Sequence, residues 1–149
     1  MRLNGALVKL PRMRKPLIAA LIGASLVAGC GGGDDEDSNA SRYEGDEADV
    51  AGVVDDFAAA GKDGDGAKIC NEIFDAALAK NVEREAKQSC ASEVQDNLPE
   101  GEYDLTVNSI QVKGNAATAA VTDQDDNKSV LFMTKKGDAW RVFRVTPAQ

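Results

Sequence analysis

The side chains best suited to chemistry in this 149-residue chain are three thiols, Cys30, Cys70 and Cys90, and the chain has no histidine to work beside them. Two lone cysteines cannot close a tetrahedral zinc site by themselves, and the Cys-x-x-Cys spacing that tunes a redox thiolate is absent. Two acidic loops raise calcium as a second chemistry. Counted from Asp63, however, an EF-hand spacing puts Lys68 where glycine is required and Phe74 where the closing glutamate belongs. Counted from Asp123, it puts Lys128 and Thr134 at those positions, so both loops read as turns. For proton transfer the nearest thing to an acid/base pair is Tyr103 with Asp104, but neighbours on a strand point to opposite faces. These patterns assign no catalytic residue, no metal and no cofactor.

The surroundings of Cys30 are distinctive. Arg2, Lys9, Arg12, Arg14 and Lys15 precede an uncharged run from Leu17 to Ala28. That run is shorter than the roughly 20 residues needed to cross a bilayer and suits the apolar core of a signal peptide, about 7 to 15 residues long. Small Ala28 and Gly29 then give a peptidase an unhindered backbone, and a Gly- and Asp-rich tract starts just after Cys30. Val27-Ala28-Gly29-Cys30 resembles the lipobox of a bacterial lipoprotein. The resemblance implies cleavage between Gly29 and Cys30, lipidation of Cys30, and export to the outer face of the cell membrane. Loss of residues 1–29 leaves 120 residues carrying all 25 acidic and 12 of the 17 basic side chains, a formal charge of −13. Such a surface is repelled by nucleic acid and by anionic headgroups, so the lipid on Cys30 is the expected link to the membrane.

With Cys30 acylated, Cys70 and Cys90 are left as an even pair in an oxidising compartment, where a disulfide is the default. The elements must then bring them together. Residues 30–46, the lipidated cysteine with a disordered tether, have little to bury, and one domain is expected over 47–149. Val50, Val53, Val54, Phe57 and Ala58 mark a first helix, ended near Gly61, and Asp65 is placed to cap the next. The second helix carries Cys70, Ile73, Phe74, Ala77 and Leu78. A third carries Val82, Ala86, Cys90 and Val94, with Asn81 as its cap and Glu83 and Glu85 near its positive end. One unbroken helix would hold the two cysteines about 30 Å apart, so the bridge demands a break, expected near Lys80 and Asn81.

Beyond Leu98-Pro99-Glu100-Gly101 the helical period gives way to four β-rich segments, 105–112, 116–122, 128–135 and 139–145. Their short turns define an antiparallel meander. Leu105 and Val107 share one face and Ile110 and Val112 the other, which predicts a bulge around Asn108-Ser109. Val130 to Met133 is apolar on both faces, as an interior strand or an oligomer surface would be. The small side chains of Ala117 and Ala119 predict either close helix packing or a hollow.

Helices followed by a bent four-stranded meander ending Gly137-Asp138-Ala139-Trp140-Arg141-Val142 resemble the NTF2-like, cystatin-like α+β superfamily. More narrowly, they resemble small exported lipoproteins of unknown function in Gram-positive, high-GC bacteria. The motifs that carry the likeness are Ala58-Ala59-Ala60-Gly61, Cys70, Cys90, Gly114-Asn115-Ala116-Ala117 and the Gly-Asp-x-Trp-Arg-Val ending. The resemblance implies about three helices closing a curved sheet into a cone. It leaves three functions open: a non-catalytic module binding a small ligand or protein, an isomerase, dehydratase or hydrolase with a carboxylate-based site, and a cell-envelope spacer without a pocket. A homodimer through the sheet is a further expectation. Trp140 is expected to anchor the core.

Overall fold

A computed structural model of the chain describes residues 38–98 and 103–148; Gly29 and Cys30 lie outside them. Helix α1 (Asp46–Lys62) gathers Asp46, Glu47 and Asp49 in its first turn, where carboxylates favour the positive end of the dipole. Its apolar stripe buries Val50 and Val54. Asp65 caps the next helix, its Oδ1 accepting from the Lys68 N–H at 2.8 Å. That helix, α2 (Gly66–Lys68), widens at once into a π-turn, Ile69–Ile73, closed by the Phe74 N–H on the Ile69 carbonyl at 2.8 Å.

The helix break falls elsewhere than expected. Helix α3 (Ala76–Ala86) runs unbroken through Lys80 and Asn81, so Asn81 is an interior helical residue and no cap. Two other breaks flank α3. At the first, Phe74 and Asp75 are extended, Phe74 forms a parallel bridge with Val142, and the Asp75 N–H donates to the Val142 carbonyl at 2.8 Å. The Asp75 carboxylate then caps α3 by accepting from the Leu78 N–H at 2.8 Å. At the second, Lys87 is left-handed (φ 59°) and Ser89 caps helix α4 (Cys90–Asn97). The described residues hold four helices, the three-residue α2 among them, where about three were expected, and Glu83 and Glu85 sit near the end of α3, not at the start of a helix. The two breaks carry Cys90 back over the π-turn, and Cys70 and Cys90 form a disulfide with Cα atoms 6.1 Å apart. Gly66 allows this return, because a Cβ there would clash with the Ala91 carbonyl of α4.

The sheet is the expected meander, β1 (Leu105–Lys113), β2 (Ala116–Asp123), β3 (Lys128–Lys136) and β4 (Ala139–Pro147), antiparallel in that spatial order. The register of β1 on β2 slips between Val107 and Ser109, leaving Asn108 as the bulged residue. A second slip, unforeseen, lies between Phe132 and Met133, opposite Phe143 of β4. These bulges bend the sheet around the helices. Its inner face supplies Leu105, Val107, Ala119, Val121, Leu131, Met133, Trp140 and Val142, which close a core with Val50, Val54, Ile69 and Ile73. Ala117 and Ala119 are buried in this core, so their small volume serves close packing.

The expected boundary of the tether at residue 46 also moves. Asn39 is buried and Ala40–Arg42 forms a 3-10 turn against the domain. The Asn39 amide donates to the Leu105 carbonyl and to Asp55 Oδ1, both at 2.7 Å, and its Oδ1 accepts from the Val107 N–H at 2.8 Å. The Ala40 N–H donates to Asp55 Oδ2 at 3.0 Å. Asn39 therefore occupies backbone groups on the open edge of β1 that a further strand would otherwise pair. Asp34–Gln149 forms a compact unit by itself.

Candidate functional site

The mouth of the cone is built on an aromatic row. Phe57 of α1 meets Phe74 edge-on with ring centroids 5.8 Å apart, and meets Tyr103 at 6.0 Å. Tyr103 lies against the bare backbone of Gly61, where a Cβ would run into its ring. Beside it is a hollow of about 110 Å³ edged by Asp123, Asn127 and Ser129. Burial raises the Tyr103 phenol above its usual pKa, and the negative charge of Asp123 adds to this. The Asp123 carboxylate is held below the usual range by its hydrogen bond from the Asn127 side chain, at 3.0 Å, and by the N–H groups of Asn127 and Asp125. At neutral pH the pair is a protonated phenol beside a carboxylate. It can donate one hydrogen bond and attract a cation, while neither group is tuned toward the pH 7 range that proton transfer favours.

Sharing Val145 with that hollow is a larger groove of about 500 Å³ between α3, α4 and the end of β4. Leu78, Val82 and Ala86 of α3 form one wall, Val94 of α4 the other, and Phe74 and Val145 the base. Its charged lining residues are Glu85 and Glu93. A third cleft, about 600 Å³, lies between α1, the π-turn and the β3–β4 hairpin, with Trp140 in its wall. Its cations are already engaged: Lys68 Nζ is 3.7 Å from Asp56, and Arg141 donates to the Asn71 carbonyl at 3.2 Å. Nearby Lys135 is 2.6 Å from Asp46, a hydrogen bond that raises its pKa. No group of three or more metal-ligating side chains is assembled among the described residues.

The residues singled out in the sequence are dispersed. Cys30 and Gly29 are outside the described residues, and Cys70 and Cys90 are joined in the core. Asp104 is exposed and its Oδ1 accepts from the Leu105 N–H at 2.9 Å, so it serves the start of β1. Trp140 is buried with its Nε1 lacking a hydrogen-bond partner among the described residues. Asp123, and not Asp104, is the carboxylate that acts on Tyr103, a pairing across some twenty residues that strand alternation could not show. Asp75 carried a local signal, an Asp directly before Ala-Ala-Leu, that identifies a helix cap.

Helices packed on one face of a bent antiparallel meander, with the open end of the cone edged by Tyr103 and Phe57, define an NTF2-like α+β fold. A solved NTF-2-like protein of unknown function from Silicibacter pomeroyi superposes with a TM-score of 0.54 at 14% identity, covering 69% of this chain and 94% of its own. One from Shewanella baltica, also of unknown function, gives 0.50 at 18%, covering 69% and 95%. No family model and no curated protein matches the sequence.

Proposed function

We propose that the chain is an exported lipoprotein, acylated at Cys30 and held at the outer face of the cell membrane, whose NTF2-like domain is a non-catalytic binding module. The observation that carries the binding role is the open apolar groove at the mouth of the cone, next to an interior filled by Leu131, Met133 and Trp140. Among the described residues the one buried carboxylate is Asp75, which is occupied in capping α3 and in an ion pair with Lys136 at 3.2 Å. Such a domain offers a surface to a ligand rather than a reaction chamber. The membrane anchor is supported by the sequence around Cys30.

A second copy of the chain is a further partner, supported by the outer face of the sheet. There Phe143 is 40% exposed, packs on Phe132 at 6.3 Å, and leaves the Arg144 guanidinium 4.0 Å from the Phe132 ring centre. Two measurements test these assignments. Replacing Cys30 with Ser should release the protein from the membrane fraction and abolish labelling by a radioactive fatty acid; continued attachment overturns the anchor. A Phe143→Asp variant should shift a dimer to monomer in sedimentation, and a wild-type protein that is monomeric throughout overturns the sheet dimer.

A further inference from the structure

We infer that the α3–α4 groove receives an amphipathic helical segment of another protein, its apolar face flanked by lysine or arginine. This rests on the binding-module reading and names its partner. Helix α3 has an apolar face, Leu78, Val82 and Ala86 at i, i+4 and i+8, yet not one of its residues is buried. A globular domain normally covers such a face. Those three residues form a strip about 12 Å long, two turns of helix. Val94 and the 42% exposed Val145 stand opposite and beneath it, with buried Phe74 as the floor.

Shape favours a helix over a small molecule. Small ligands are usually enclosed over most of their surface, whereas an open strip of this length suits a helix laid along it, inserting side chains at i, i+4 and i+7. Charge then selects the kind of helix. Both charged side chains lining the groove, Glu85 and Glu93, are acidic. Glu93 accepts from Gln88 and Asn97, which are neutral, and no cation pairs with it among the described residues. The bases of α3, Lys80 and Arg84, lie roughly 160° around the helix from Val82 and face away from the groove. The apolar strip supplies contact area, and the acidic rim selects for basic flanks and against acidic ones.

The test uses the chain from Asp34 onward, which forms a compact unit by itself, with labelled methyl groups. The probe is a synthetic Leu/Lys peptide about four turns long with leucine along one helical face. One control replaces lysine with glutamate, and another shuffles the Leu/Lys order. The Leu/Lys peptide should move the methyl resonances of Leu78, Val82, Val94 and Val145, with the Leu/Glu peptide binding at least about tenfold more weakly. A double Glu85→Gln, Glu93→Gln variant should weaken the Leu/Lys peptide about fivefold. Val82→Asp, on a half-exposed position, should weaken it about tenfold or more while the amide spectrum elsewhere is kept. Equal binding of the Leu/Glu peptide overturns the charge selection and leaves the binding module standing. Equal binding of the shuffled peptide reduces the effect to general charge attraction and overturns the proposal. If neither peptide moves these methyls, both the proposal and the binding role of the groove fall. Concentration-dependent shifts at the same methyls without peptide would show a second copy in the groove and would likewise overturn it.

Discussion

Asp75 joins helix to sheet, and its replacement should separate a capping contribution from a charge contribution. Its backbone N–H bonds Val142, its carboxylate accepts from the Leu78 N–H, and Lys136 approaches from the sheet at 3.2 Å. Asp75→Ala removes a helix cap, about 0.5–2 kcal/mol, and an ion pair whose lysine is 60% exposed, which adds about 0–1 kcal/mol. The expected loss is about 1–3 kcal/mol. Asp75→Asn keeps a good capping residue and loses only the pair, so its cost should stay below about 1 kcal/mol. Desolvation pushes the Asp75 carboxyl pKa up, but the bonds from Leu78, Lys136 and Ala77 outweigh it and leave the pKa below its ordinary 3.8. A carboxylate with a lowered folded pKa stabilises fully above its unfolded value and loses that contribution as pH falls through the folded one. Urea midpoints for the three proteins at neutral pH and below the carboxylate range measure both effects. The gap between wild type and Asp75→Asn should be present at neutral pH and shrink in acid. An Asp75→Asn variant as damaged as Asp75→Ala would refute the capping argument, and an unchanged gap in acid would refute the charge argument.

Asn39→Ala leaves the buried groups of Leu105 and Val107 unpaired and should cost about 2–4 kcal/mol in chemical denaturation, with amide exchange rising first along β1. Gly61→Ala forces the Tyr103 ring off α1; despite alanine's better helix propensity, a loss of about 1–2 kcal/mol in thermal unfolding is expected, and a stabilised protein would contradict the packing described. Replacing both Cys70 and Cys90 with Ala opens a loop spanning 20 residues and should lower stability by about 3 kcal/mol. Intact mass after alkylation without reductant should show neither thiol labelled.

The meander was legible because period-two segments and glycine turns are local signals, and so was the Asn108 bulge, since the apolar face of β1 changes sides there. The Asp65 cap was legible for the same reason. The break between the cysteines was not. Cys70 through Leu78 and Val82 through Val94 follow a helical period with no proline or glycine to interrupt it, and the extended pair Phe74-Asp75 is set by a partner almost seventy residues away, Val142. The second bulge, at Phe143, escaped because the adjacent apolar pair Val142-Phe143 leaves the alternation of β4 ambiguous there. At the mouth, adjacency in sequence points from Tyr103 to the wrong aspartate: Asp104 adjoins it in sequence, Asp123 in space. The groove went unseen because the stripe of α3 looks identical whether or not something covers it.

If the chain is anchored at Cys30 as proposed, the Asn39 clasp decides where a pull from the membrane enters the fold. With the lipid on Cys30, Asn39 lies nine residues beyond it, and these drawn straight reach only about 30 Å. Any pull between membrane and domain enters the fold at one point, the open edge of β1, and Asp55 shares that load with α1. A lateral tug on the anchor would be borne by Asn39 before any strand of the sheet had to part.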